Sequence, residues 1–271
     1  MLSIINSISS LTAENAISST QANLQKVLTE LSTGLKINSG SDDAAGLAIA
    51  NGLQANISAL TQSSQNASDG VGLLQTADGA LSQVTSLLNR AVTLATEASN
   101  GGLSTSQSTA LDTEYQSILT EIGNIGSTTN FNGTAVFGTT ANVFTSDGTT
   151  GGSGTIATTI GALTTTALAL NATNLTSTTT AQTALTDISA AIQTVAANRG
   201  GIGAAVNQLT ADTNVENTEV TNLTSAQNNV QNADIGQTVA QMTQFNVLEQ
   251  TGFAALSQSN QAQQSVLKLL Q

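Results

Sequence analysis

The chain has 271 residues and a net charge of −12, with 39% hydrophobic but only 2% aromatic residues. It contains neither His nor Cys, so the usual zinc sites, the Ser/His and Cys/His nucleophile pairs and any disulfide are excluded; no enzyme activity, cofactor or metal is expected. Only Lys26, Lys36, Arg90, Arg199 and Lys268 are positive, so neither nucleic acid nor an anionic membrane is an expected partner, because both need a basic footprint.

Residues 3–34 read as a helix, with Ile4, Ile8 and Leu11 and then a stripe of Leu24, Leu28, Leu31 and Leu35 at three-to-four spacing. Gly34 is placed to end it, and KINSGSDDAAG reads as a turn after which Ser41, Asp42 and Asp43 open the next helix. Asp42 and Asp43 also admit a metal pair or an intersubunit contact, although carboxylates in a first turn are explained by free N–H groups and the helix dipole.

Over 46–99 an apolar or small residue recurs at Leu53, Ile57, Leu60, Ser64, Ala67 and Val71 and onward to Ala95, close to a 3.5-residue repeat. A helix of that length runs roughly 80 Å, several times the usual, which predicts a rod. NGGLSTSQS breaks it, and 104–125 is a shorter helix carrying Leu111, Tyr115, Ile118 and Ile122.

Between 131 and 160 the period changes. FNGTAVF, NVFTS and TIATTI are strand candidates around the Gly-rich turn GTTGGSG, which lacks the Lys-Ser/Thr of a phosphate loop. The Thr-rich stretch 161–180 is expected to be irregular and exposed. A return helix then carries Leu185, Ile188, Ile192, Val195, Leu209 and Val230 in near-heptad register; Arg199, Thr213 and Glu216 fall on its seam, and Gly200, Gly201 and Gly203 put its continuity in doubt. A last helix, from about Ile235 to Leu270, bears Phe253, Leu256, Val266, Leu267, Leu269 and Leu270.

The expected fold is therefore mainly α: a long antiparallel coiled-coil hairpin rod with a small β-hairpin region in the middle of the chain. Its two terminal helices, rich in Ser, Thr, Asn and Gln, are too poor in intrinsic helicity to stand alone in water, so packing against neighbouring copies must order them.

The segment LSTGLKINSGSDDAAGLAIANGLQANISAL, residues 31–60, resembles the N-terminal signature of bacterial flagellins, L-S-[ST]-G-x-[RK]-I-N-[ST] followed by D-D-A-A-G-x-A-I-A. The resemblance extends through NASDGVGLLQTADGAL (66–81), TNFNG (129–133) and the C-terminal run from LTSAQNNVQNAD to Leu270, covering about 1–137 and 181–271. It implies a structural subunit of the flagellar filament, a homopolymer of many copies. Such a subunit is extracellular, exported without a cleaved signal peptide through the flagellar export apparatus with its chaperone, and added beneath the filament cap next to hook-junction proteins.

On that resemblance 1–34 and 235–271 form the terminal polymerisation domain of the inner tube, with Leu24, Leu28, Leu31, Leu35, Phe253, Leu256, Leu267 and Leu270 at the interface. Residues 35–45 are the linker, 46–180 the helices and β-hairpin of the rod domain with a short variable region at about 131–180, and 181–234 the return helix. The family's site for the vertebrate innate immune receptor maps onto Leu88, Arg90, Leu94 and Glu114, with departures at Asn89, Val92 and Thr93. A hook–filament junction protein shares the same termini and stays open as an alternative, and a coiled-coil adhesin would share the heptads but has no reason to carry the 31–60 block.

Overall fold

The computed structural model describes residues 8–148 and 154–269. In chain order it consists of α1 (Ile8–Thr33), α2 (Ala44–Ala98), α3 (Thr105–Thr128), β1 (Asn130–Phe131), β2 (Thr134–Ala135), β3 (Thr139–Phe144), β4 (Thr155–Ile160), α4 (Thr178–Gln231) and α5 (Ile235–Leu269). The chain divides into two compact units: residues 1–55 with 222–271, and residues 56–221.

In the terminal unit α1 and α5 run antiparallel. Ser10 meets Ser259 at 3.0 Å, Gln21 donates to Glu249 at 3.0 Å, and Leu35 bridges to Asn232. The core here is thin, with Ile17, Val27, Ile37 and Ala50 as its buried apolar residues among those described. The leucine stripe does not continue to Leu35 as a helical face. Gly34 takes a left-handed φ of 73°, which turns the backbone out of α1 and places Leu35 in the extended bridge.

The second unit holds the thick core. On α2, Leu74, Ala77, Leu81, Val84 and Leu88 are buried at alternating steps of three and four, and on α4 Ile188, Ala191, Val195, Ile202, Ala205 and Leu209 follow the same period. Ion pairs and hydrogen bonds fix the antiparallel direction: Ser63 of α2 meets Glu216 of α4, and Asp78 of α2 meets Arg199 of α4. The latter pair is forked, Nε to Oδ1 at 2.7 Å and Nη2 to Oδ2 at 3.1 Å, and the guanidinium holds the Asp78 carboxyl below its usual range. Ser104 caps α3 with a capping box, its side chain accepting from the Gln107 amide while Gln107 accepts from the Ser104 N–H.

The short strands pair as two separate antiparallel hairpins, β1 with β2 and β3 with β4. Asn132 and Gly133, at φ 49° and 79°, make the two-residue turn of the first, which is the physical reason for Asn-Gly in TNFNG. The Thr-rich stretch 161–180 corrects the expectation of an exposed segment. Leu163, Leu168, Leu170 and Leu175 are all buried in the second unit's core. Asp112 accepts from the Leu175 amide at 2.7 Å and Tyr115 bonds the Thr173 hydroxyl, so α3 holds this stretch against the helices while its threonines face outward or half outward.

The three glycines of 200–203 do not break α4, which is continuous from Thr178 to Gln231. A Cβ at any of them would meet nothing within 4 Å. They therefore weaken the helix through backbone entropy alone, and Gly200→Ala, Gly201→Ala and Gly203→Ala should each stabilise the second unit by up to about 1 kcal/mol. Thermal unfolding followed by circular dichroism checks this, and a lowered midpoint in all three variants would contradict it.

Candidate polymerisation surface

The expected interface residues fall into three groups. Leu24, Leu31 and Leu256 are half-buried between α1 and α5 or beside them, Leu35 is half-buried in the bridge outside the helix, and Leu28 and Phe253 are 47% and 49% exposed. Leu270 lies outside the described residues, as does the Leu267 side chain. The helical pair thus uses only part of its apolar surface on itself.

Periodicity misses much of what remains uncovered. Ile49, Ile235, Val239, Val247 and Leu248 are exposed large hydrophobics of the same unit, as is Leu11 of the expected N-terminal spacing. Of the eleven such residues among those described, nine belong to the terminal unit, and only Phe144 and Val215 to the other. The sequence does carry a signal for them. Val247 and Leu248 are adjacent, so on a helix they point about 100° apart and widen the apolar face.

The signature block 31–60 positions this pair locally. Asp43 accepts from the Gly46 amide at 2.9 Å and so caps α2. Asp42 does something different from the expected helix opening: it accepts from the Asn38 and Ser39 amides at 3.2 and 3.0 Å and pairs with Lys26 of α1 at 3.3 Å. The Ser39 hydroxyl first, then Asn38 and Lys26, hold its carboxyl below the usual range. The linker is stapled to the α4–α5 junction as well, through Lys36 N–H to Gln231 O at 2.8 Å and Ala233 N–H to Gly34 O at 2.9 Å. Asp42 and Asp43 therefore close the turns that connect α1 to α2.

The four residues matched to receptor recognition separate by burial. Leu88 and Leu94 are 0% and 1% exposed and belong to the core of the second unit. Arg90 and Glu114 stand on the surface and pair with each other at 2.6 Å between α2 and α3. As a contact surface, only the charged half of the set is presented.

The comparisons place this geometry. Residues 4–142 match the model of the bacterial flagellin N-terminal helical region, and residues 185–270 that of the C-terminal helical region. The chain belongs to the flagellin family. A flagellin of Halalkalibacterium halodurans is 34% identical over 260 residues, 91% of each chain. Flagellin 1 of Proteus mirabilis is 42% identical over 47% of this chain but only 35% of its own length, and a Serratia marcescens flagellin 44% identical over 50% of this chain and 39% of its own. The crystal structure of a Bacillus cereus flagellin matches with a TM-score of 0.50 and 31% identity over 56% of this chain and 88% of that one.

The chain is thus a structural subunit of the extracellular flagellar filament and is mainly helical. No described helix is long and apolar enough to cross a membrane.

Proposed function

We propose that the terminal unit is the polymerisation domain in the strict sense: its exposed leucine, valine and phenylalanine side chains are the surface that neighbouring copies cover to build the inner tube. The observation that carries this reading is the concentration of exposed large hydrophobics in that unit beside a core of only four buried apolar residues among those described. Exposed apolar side chains gathered in one unit of a chain with 8% charged residues favour burial by association. Residues 1–34 and 235–271 are assigned to the tube, 35–45 to the linker, 46–180 and 181–234 to the surrounding layer, and about 131–180 to the outward side.

In the same reading the chain leaves the cell uncleaved through the flagellar export apparatus, carried there by a chaperone that shields the terminal stripes. It is then added under the filament cap next to hook-junction proteins. Leu24, Leu28, Leu31, Phe253 and Leu256 take part in the subunit contacts, and Arg90 with Glu114 is the surface offered to the vertebrate innate receptor.

Electron microscopy of the purified, seeded chain tests the main assignment. Long tubes are expected from this protein alone. Only short stubs capping added filaments would support a junction protein instead.

A further inference from the structure

The α2–α4 seam of the second unit has one layer of the wrong chemistry. On α4 the buried positions Ile202, Ala205 and Leu209 are followed seven residues on by Glu216, and on α2 Ser63 stands in the same register between Leu60 and Ala67. Both polar residues are inside, Glu216 6% and Ser63 1% exposed. The Ser63 hydroxyl donates to Glu216 Oε1, while Oε2 is buried and has no hydrogen-bond partner among the described residues.

Among the described residues no lysine or arginine pairs with this carboxylate. The described ion pairs join Lys26 to Asp42, Arg90 to Glu114 and Arg199 to Asp78. The charged groups acting on Glu216 are Asp212 and Glu219 on its own helix, both acids, and the titratable residue nearest to Ser63 along α2 is Asp69, an acid as well. A single polar residue at a coiled-coil seam position ordinarily fixes register at a cost in stability. Here the residue is ionisable as well, so the cost depends on its charge.

We propose that the Ser63–Glu216 layer is a proton-operated latch in this seam, closed when Glu216 is neutral and loosened when it is charged. Protonation puts a hydrogen on the unpartnered Oε2 and removes an isolated buried charge together with its repulsion from Asp212 and Glu219. Burial, those two acids acting in the same direction and the Ser63 hydrogen bond acting against them, leave the carboxyl above its usual range.

The sign follows from linkage. A carboxyl raised in the folded state binds its proton more tightly there than in the unfolded chain. Its stabilisation is complete below the unfolded value and is lost as pH rises through the folded one. Asp42 and Asp78, both held low, act oppositely, and their contributions disappear only as pH falls through their lowered values.

Thermal unfolding of the full-length monomer and of Glu216→Gln, the isosteric neutral variant, from about pH 8 to about pH 5 isolates the latch. The variant should melt several degrees above wild type at the upper end, taking about 2–4 °C for each fivefold change in the folding constant, with the gap closing at the lower end. Hydrogen exchange within 56–70 and 210–221 should show protection rising on acidification in wild type and constant in the variant. Ser63→Ala removes the one group that favours the charged form, so its deficit relative to wild type should be largest at high pH. A gap between wild type and Glu216→Gln that stays the same across the range, or a less stable variant at pH 8, overturns the proposal.

Discussion

A chain carrying Leu28→Glu together with Phe253→Glu will stay monomeric under conditions in which the wild-type protein forms filaments, and its second unit will unfold at the wild-type temperature. Both side chains are about half exposed in the isolated subunit, so glutamate at either site can remain hydrated there. In a polymer that covers them, each substitution forfeits the transfer energy of the exposed half of a large apolar side chain, roughly 1 kcal/mol, and adds the desolvation of an unpaired carboxylate. Two sites together raise the critical concentration by about a hundredfold or more, since each 1.4 kcal/mol is a factor of ten. Sedimentation and electron microscopy read the polymer, and the far-UV spectrum of the monomer shows whether α1 and α5 remain helical. The conservative pair Leu28→Met with Phe253→Leu should still assemble. Filaments from the double glutamate chain at the wild-type critical concentration would remove these residues from the interface.

The same contrast explains what the sequence discloses and what it hides. The seam of the second unit follows a 3.5-residue repeat because α2 and α4 bury one stripe each, and one stripe produces one period. Leu163, Leu168, Leu170 and Leu175 are as deeply buried, yet no period links them. They belong to a non-helical segment whose threonine content suggests exposure, and their inward direction is set by α3 through Asp112 and Tyr115, which local pattern does not reveal. Leu35 fails in the opposite way. It continues the spacing of Leu24, Leu28 and Leu31, but a left-handed glycine intervenes and spacing carries no information about backbone handedness.

At the candidate surface the three-to-four spacing marks Leu24, Leu31 and Leu256, each of them half-buried. It overlooks Val239, Val247 and Leu248, since a helix that is apolar on more than one face scatters any single period. The glycines of α4 mislead for a related reason: they lower helix propensity locally, but Ile202, buried among them, ties that turn to the seam and packing outweighs propensity.

Leu88→Ala and Arg90→Ala should separate folding from recognition although the two residues are neighbours on α2. Leu88 is fully buried in the core that joins α2, α3 and α4, and its truncation removes a leucine from a site with little room to collapse. The expected loss is about 2–5 kcal/mol of second-unit stability, with a fall in thermal midpoint of the order of 10 °C. Arg90 contributes an ion pair to Glu114 between side chains that are 53% and 46% exposed, so solvent screens it and its loss costs at most about 1 kcal/mol. For binding to the ectodomain of the innate receptor the order reverses. Arginine presented on a helix surface is the kind of group that anchors an interface, and Arg90→Ala should weaken binding about tenfold or more while leaving the fold intact. Leu88→Ala, measured well below its own midpoint, should bind close to wild type because its side chain never reaches the surface. Equal weakening by both variants at a temperature where both are folded would mean that recognition reads the packing of α2 itself, and unchanged binding of Arg90→Ala would take the ion pair out of the recognised surface.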